Sequence, residues 1–171
     1  RLDSALDSCD VPPASDHTMR PPTLSGIHML IRPYRAADAG PLSDLYTRSV
    51  LHFGPRAYTT DQVNAWAATS SPEKVARRCA DGRLVLVATD ENGQYLGFGD
   101  LECDGHLDFL YIAPEAEGRG VASALYDALE AHARGRAMPL LFMEASELAR
   151  PLLERRGFVV QARNALKLGG V

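Results

Sequence analysis

The chain has 171 residues, 46% of them hydrophobic, and a formal net charge of −4 at pH 7. This length and composition predict one domain that encloses a single hydrophobic core. The acidic balance gives no electrostatic basis for binding nucleic acid, and no apolar run approaches the roughly 20 residues that span a bilayer. We therefore expect neither nucleic acid nor a membrane among the partners.

The cysteine pattern bears on metal binding and on location. The three cysteines, Cys9, Cys79 and Cys103, lack the close spacing typical of a metal site, so we predict no metal centre. Their odd number makes reduced thiols, and with them a cytoplasmic location, the simplest interpretation.

Composition separates an N-terminal segment from the folded domain. Residues 1–28 contain several prolines among serines and aspartates without hydrophobic periodicity, and we interpret them as a disordered leader or an added tail. A single domain is expected over residues 29–171. Its first half predicts a strand over 29–33 and a helix from a cap at Asp38 to about His52. A second helix is capped by Thr59 or Thr60 and is expected to run to Ala67, and a third helix begins with Ser71 and Pro72.

The second half of the domain predicts an antiparallel meander followed by alternating helices and strands. We expect strands over 83–89, 95–103 and 106–112, a helix from Gly120, a strand over 140–145, a helix over 146–156 ended by Gly157, and a last strand over 158–161. Pro151 lies inside the predicted helix 146–156, so that helix either starts later or has an irregular first turn. This order predicts an α/β (mixed α+β) fold with a central twisted mixed β-sheet flanked by helices.

The most informative stretch is the strand 106–112 with the turn and helix that follow it. Gly118 and Gly120 lie where this helix begins. The first amides of a helix have no internal acceptor, and the macrodipole makes that end positive. Glycine also allows a phosphate to approach the backbone closely. The stretch therefore predicts an anion-binding site.

Two well-known phosphate motifs do not fit this stretch. A dinucleotide fingerprint requires a third glycine where Ser123 stands, and a P-loop requires a Gly-Lys-Ser/Thr triplet that the sequence lacks. An ordinary strand, turn and helix with glycines that serve packing remains an open alternative.

The sequence Glu117-Gly118-Arg119-Gly120-Val121-Ala122, after Leu110-Tyr111-Ile112-Ala113-Pro114, resembles motif A of the GNAT superfamily of acetyl-CoA-dependent N-acetyltransferases. Glu117 stands where that motif usually has Gln or Arg. The segment 144–158, which ends in Gly157-Phe158, resembles motif B. The resemblance covers roughly residues 29–163, and Thr59-Thr60-Asp61-Gln62 with Ala65-Trp66-Ala67 further resembles the bacterial YafP-like branch.

The resemblance implies acetyl-CoA as co-substrate and assigns its contacts. The pyrophosphate is expected on the amides of residues 118–122, and the pantetheine arm beside the backbone of the strand 106–112, a form of strand addition. The implied contacts are Leu110, Tyr111, Ile112, Glu117, Gly118, Arg119, Gly120, Val121, Ala122 and Ser123. The resemblance also implies that Tyr58 lines the acceptor pocket, and we expect Trp66 beside it.

Acetyl transfer to an amine requires a base, because an alkylammonium with a pKa near ~10.4 must lose its proton before it attacks. Strand alternation places His106 and Asp108 on one face with Leu110 and Ile112, and Glu102 lies on the neighbouring strand. Some family members have a catalytic His or Glu at the two matching positions. An exposed His106 and an Asp108 that only accepts a loop amide remain alternatives.

Leu153 stands where many family members have a tyrosine that acts as general acid. We expect an N-acetyltransferase that acts on a primary amine of a small molecule or peptide, and the acidic side chains Asp61, Glu102 and Asp108 suit a cationic amine. The alternatives are an acetyl-CoA-binding regulatory module with little or no turnover, and a phosphate-binding scaffold of another fold. The short C-terminus predicts a shortened final hairpin, an edge covered by a partner such as a second copy in a homodimer, or an incomplete sequence.

Overall fold

The computed structural model describes residues 28–162, so that most of the expected leader and the end of the chain lie outside the described residues. This part contains four strands and five α-helices, and none of these helices is long and apolar enough to span a membrane. In chain order they are β1 Met29–Pro33, α1 Ala39–Phe53, α2 Thr60–Ala67, α3 Pro72–Cys79, β2 Leu84–Asp90, β3 Tyr95–Leu101, β4 Leu110–Ile112, α4 Val121–Gly135 and α5 Arg150–Arg155.

The strands form one antiparallel sheet in the order β1-β2-β3-β4. The predicted fold class is confirmed, but the parallel component of the sheet is a single bridge between His106 and Phe142. The strands predicted at 140–145 and 158–161 are therefore wrong. The first segment hydrogen-bonds to the chain that precedes β4 through Leu107 N to Phe142 O (2.9 Å) and Phe142 N to Gly105 O (3.1 Å), but it forms no strand.

Helices cover both faces of the sheet. On one face Tyr46 of α1 contacts the rings of Phe109 and Tyr111 at 6.0 and 4.5 Å between centroids. On the other face α4 packs so closely that a Cβ added to Gly97 would lie 3.1 Å from both Val121 and Leu125. The strand β4 is thus held between two helical layers.

Most predicted helix starts are confirmed, and their caps explain why. The Thr59 hydroxyl accepts the Gln62 amide at 3.4 Å, and the Ser71 hydroxyl accepts the Lys74 amide at 3.3 Å. The helix predicted from residue 146 begins only at Arg150, with Pro151 in its first turn, and Gly157 adopts the expected left-handed conformation with φ +87°.

Asp38 was predicted to cap α1, but its side chain does not cap that helix. The buried carboxylate accepts two bonds from Arg32 (2.8 and 2.9 Å), one from the Arg35 amide (2.7 Å) and one from the Tyr95 hydroxyl (2.8 Å). It therefore connects β1, the start of α1 and β3.

The end of β3 is determined by Asp100, which is fully buried. One carboxylate oxygen accepts the amides of Asp108 (3.0 Å) and Phe109 (2.6 Å), and the other accepts Arg83 at 2.8 Å. Because a side chain takes the place of the ladder bonds, regular pairing starts only at Leu110, and the strand predicted over 106–112 is four residues too long at its start.

We predict that Asp100→Ala lowers the free energy of unfolding by about 3–5 kcal/mol, because two buried amides and a buried guanidinium lose their acceptor. Urea denaturation measures this loss. The control is Asp44→Ala, which removes an exposed carboxylate bonded to Arg48 at 2.9 Å and should cost less than about 1 kcal/mol. Equal losses for the two variants would contradict the role given to Asp100.

We also predict that Asp38 makes folding sensitive to acid. Burial alone would raise the pKa of Asp38, but the bonds from Arg32, the Arg35 amide and Tyr95 outweigh it and lower the pKa below its ordinary 3.8. The stabilisation from the ionised form is therefore complete above that value and is lost as pH falls through the lower, folded-state pKa. The Asp38→Asn variant should have a lower free energy of unfolding than wild type at neutral pH. That free energy should also change less between about pH 5 and pH 2 than it does in wild type.

Candidate active site

The backbone of β4 has one free edge. Asp100 N donates to Phe109 O (3.0 Å) and Ala113 N donates to Leu96 O (2.8 Å), so the odd-numbered residues of this stretch face β3. The N–H and C=O groups of Leu110 and Ile112 consequently point the other way, where the described part of the chain places no strand. Such an edge can pair with an amide-containing ligand.

The second component is the start of α4. Gly118 and Gly120 adopt left-handed conformations with φ +70° and +77°. The backbone amides of Gly118, Gly120, Val121, Ala122 and Ser123 have no acceptor within residues 28–162. Free amides at the positive end of a helix are what a phosphate requires, so these residues fit the pyrophosphate of acetyl-CoA.

Ion pairs to α1 and the turn after it hold the glycine loop. Arg48 contacts Glu115 at 2.9 Å, and Arg56 donates to Glu117 at 2.9 Å. The bond from Arg56 lowers the pKa of Glu117 to about 2. The negative charge of Glu117 is thus directed toward a guanidinium, which explains how a carboxylate is accommodated beside an anion site. The Arg119 guanidinium donates to the Glu115 carbonyl at 3.2 Å, within the same loop.

The buried guanidinium of Arg83 forms ion pairs with several acidic side chains near the start of β4. Arg83 is 7% exposed and contacts Asp81 (2.6 Å), Asp100 (2.8 Å), Glu102 (3.0 Å) and Asp108 (3.4 Å). Burial alone would lower the pKa of Arg83, but its bonds to Asp81 and Asp100 outweigh that effect and raise it. Arg83 therefore remains charged and offsets part of the negative charge of its four acidic neighbours.

Arg83 links the three side chains that sequence analysis predicted as catalytic. Asp108 also pairs with Arg78, and His106 Nδ1 lies 3.4 Å from Glu102 Oε1. The His106 ring stacks on Phe142 with centroids 4.9 Å apart. The expected alternation with Leu110 does not extend to Asp108, because regular strand begins only at Leu110; Asp108 turns to Arg78, which lies over the Phe109 ring.

Sequence analysis missed Arg78, Arg83 and Asp100. A signal for one of them was available, because Asp100 is the lone charged residue of the strand β3 and a buried carboxylate requires a partner. Nothing local identifies Arg83 as that partner, since 17 positions separate the two residues.

A cavity of about 470 Å³ opens between α1, α3 and the residue that precedes β4. Its walls are Tyr46, Thr69, Ser70, Lys74, Val75, Arg77, Arg78, Asp81, Arg83 and Phe109. Tyr58 and Trp66, which we expected at the acceptor, lie outside this lining. Their rings contact each other at 5.6 Å, Trp66 contacts Tyr111 at 6.4 Å, and the Tyr58 hydroxyl accepts the Glu147 amide at 3.0 Å.

Three further side chains have limited chemical use here. Leu153 is buried in α5, so no phenol is present at the usual position of the general acid. Burial raises the pKa of Tyr126 to about 12, and its hydroxyl is bonded to Glu130 at 3.3 Å. Cys103 is disulfide-bonded, which leaves it no nucleophilic thiol.

Comparison with known proteins gives the family of this chain. The family described as the acetyltransferase (GNAT) domain matches residues 55–169. The chain belongs to the GNAT family. It is 33% identical over 131 residues to the uncharacterized N-acetyltransferase YafP of Escherichia coli K12, an alignment that covers 75% of this chain and 79% of that protein.

Solved structures agree with the GNAT assignment. A GCN5-related N-acetyltransferase from Rhodopseudomonas palustris is 33% identical, with a TM-score of 0.78 and coverage of 87% of this chain and 91% of the other. The PaiA N-acetyltransferase of Thermoplasma acidophilum, solved in complex with coenzyme A, is 17% identical, with a TM-score of 0.68 and coverage of 80% and 92%, and it supports the fold. This GNAT protein is an acetyl-CoA-dependent acyltransferase, and acetyl-CoA is its co-substrate.

We predict that Gly120→Ala weakens the binding of acetyl-CoA at least about tenfold, because a Cβ there occupies the open space through which a phosphate reaches the amides. Isothermal titration calorimetry measures the affinity. The matched control is Gly93→Ala in the β2–β3 turn: its φ is +80° against +77°, and an added Cβ meets nothing within 4 Å at either glycine.

Both variants should lose about 1–2 kcal/mol of stability from left-handed backbone strain. The prediction fails if the two lose affinity equally, because strain alone would then account for the effect of Gly120.

Proposed function

We propose that this enzyme transfers the acetyl group of acetyl-CoA to a primary amine of a small molecule or peptide by direct attack on the thioester. One observation supports this most strongly. The free edge of β4, the free amides at the start of α4 and a large cavity all border the short stretch 109–123. A ligand on the edge would bring its reactive end next to a second ligand in the cavity.

For acetyl-CoA we propose that Leu110 and Ile112 bond the pantetheine arm through their backbone, next to Tyr111. The pyrophosphate then lies on the amides of residues 118–123, including Val121 and Ala122, and the Arg119 and Ser123 side chains are near enough in sequence to add contacts. Two features support the assignment. Apart from the Arg119 amide, which donates to the Ala116 carbonyl at 3.2 Å, these amides have no acceptor within the part of the chain described here, and the loop is held by pairs such as Arg56 with Glu117.

For the base we propose His106, oriented by Glu102. Asp108 is paired with two guanidinium groups, which favours its charged form and makes it a weak base. Among residues 28–162 no arginine pairs with His106, and its side chain is 19% exposed, so an amine or a bridging water can reach it. His106 accepts the amine proton, the nitrogen attacks the thioester carbon, the C–S bond breaks, and the sulfur leaves as a thiolate that takes up a proton.

No general acid is required for this scheme. A thiol with an ordinary pKa near ~8.5 is a tolerable leaving group without prior protonation. The buried Leu153 is compatible with that route. Leu153 also favours a second candidate function, an acetyl-CoA-binding module with little turnover. Membership of an acetyltransferase family does not favour this second function. An amine panel in which acetyl-CoA binds but no product forms would support this alternative.

We predict that His106→Gln lowers kcat by about 10²–10⁴-fold, the usual contribution of a general base, and abolishes the rise of activity with pH on the acidic side. Acetyl-CoA affinity should not change. Initial rates over the pH range with the best amine of a panel provide the measurement, with Glu91→Gln as an exposed acidic control in the β2–β3 turn. The assignment to His106 is wrong if Asp108→Asn, and not His106→Gln, removes that rise.

Location and assembly remain proposals from the sequence. Cys79 has a free thiol, as a reduced cytoplasmic setting requires, whereas the disulfide at Cys103 is at odds with that setting. A homodimer is supported by the exposed side chains Leu140 and Phe142 beside the diverging segment, which are 63% and 40% exposed. Light scattering in solution would measure the assembly.

A further inference from the structure

The charges around the cavity differ from those expected at the sequence level. Its walls include the cations Lys74, Arg77, Arg78 and Arg83 but only one carboxylate, Asp81. Sequence analysis favoured a cationic acceptor from the acidic residues in this region. In the structure most of those acidic residues already have cationic partners within the protein.

The nearby carboxylates have guanidinium partners within the protein. Asp81 bonds Arg83 at 2.6 Å and 2.9 Å, and Glu102 contacts the same guanidinium at 3.0 Å. Asp108 pairs with Arg78. Each of these carboxylates therefore attracts an ammonium group less strongly than a free carboxylate would, because a guanidinium lies beside it.

Two cations of α3 remain without a carboxylate. The Lys74 ammonium donates to the Thr69 carbonyl at 2.9 Å, and Arg77 has neither a hydrogen bond nor an ion pair within residues 28–162. In addition, the buried Nε of Arg78 has no acceptor in the same part of the chain. A cavity with such unsatisfied donors is suited to an oxyanion, for which arginine offers a bidentate geometry.

Helix electrostatics provide an alternative reason for some of these cations, since Arg77 and Arg78 occupy the last turn of α3. That reason does not apply to Lys74, which lies in the first half of the helix. It also does not explain why all three side chains border one cavity, together with the hydroxyl-bearing residues Thr69 and Ser70.

We infer that the acceptor carries a carboxylate or phosphate in addition to its amine, and that Lys74 and Arg77 bind this anionic group in the cavity. This inference rests on the proposed transfer to an amine. Phe109 lines the cavity and directly precedes Leu110 of the free edge. An anionic group held by α3 would therefore leave the amine of the same molecule facing the thioester.

The test uses pairs of amines that differ only in the anionic group: 4-aminobutyrate with butylamine, and O-phosphoethanolamine with ethanolamine. Binding is followed by the fluorescence of Trp66, the one tryptophan of the chain, on the helix that leads to Thr69. Acetylated product is measured separately by mass spectrometry. Comparison of the two pairs distinguishes a carboxylate from a phosphate ligand.

We predict that at least one anionic member binds about tenfold to hundredfold more tightly than its partner, as expected for one or two charge-assisted hydrogen bonds. The double variant Lys74→Ala/Arg77→Ala should lose this preference. Arg134→Ala, which removes an arginine from α4 whose side chain is 77% exposed, should keep it.

The inference is overturned if both members of each pair bind equally, if no anionic member binds in the millimolar range, or if the double variant keeps the preference. If butylamine and ethanolamine are acetylated at the same rates as 4-aminobutyrate and O-phosphoethanolamine, the inference is also overturned, whereas the proposed function is upheld. Preferential binding without any acetylated product would uphold the anion site and contradict the proposed transfer.

Discussion

The buried contact between Asp100 and Arg83 determines how the centre of this enzyme is arranged. Asp100 accepts two backbone amides of the chain that returns beside β3, and Arg83 balances the charge. Since a side chain replaces the ladder at this point, the returning chain is irregular before Leu110 and regular after it. The same guanidinium gathers Glu102 and Asp108, so one interaction both positions β4 and orders the polar groups at its start.

Above this point the structure leaves backbone groups without partners in two places that an extended ligand can connect. The edge of β4 offers the groups of Leu110 and Ile112, and the start of α4 offers amides next to glycines with positive φ. Arg48 and Arg56 hold the intervening loop through Glu115 and Glu117. We propose that acetyl-CoA binds across these two places, whose conformation within residues 28–162 is already held by the ion pairs, so that the cost of ordering the site on binding is reduced.

Net charge is a poor guide to the acceptor cavity. The chain is acidic overall, with a net charge of −4, yet the carboxylates near β4 are paired with Arg78 and Arg83, and the unpaired charges at the cavity are those of Lys74 and Arg77. What a ligand encounters is the charge that remains after internal pairing. Among the residues that line this cavity, four cations face one carboxylate, so the lining has the opposite sign to the whole chain.

The sequence by itself determined the features that depend on neighbouring residues. These are the strand Met29–Pro33, the caps Thr59 and Ser71, and the glycine loop with its helix, because caps and periodic patterns act within a few positions. Only the tertiary structure decided where β4 begins, that the segment 140–145 leaves the sheet, and which charges stay unpaired. The physical reason is distance along the chain: the contacts of Arg83 with Asp100 and Asp108 span 17 and 25 positions, and no local pattern encodes such pairings.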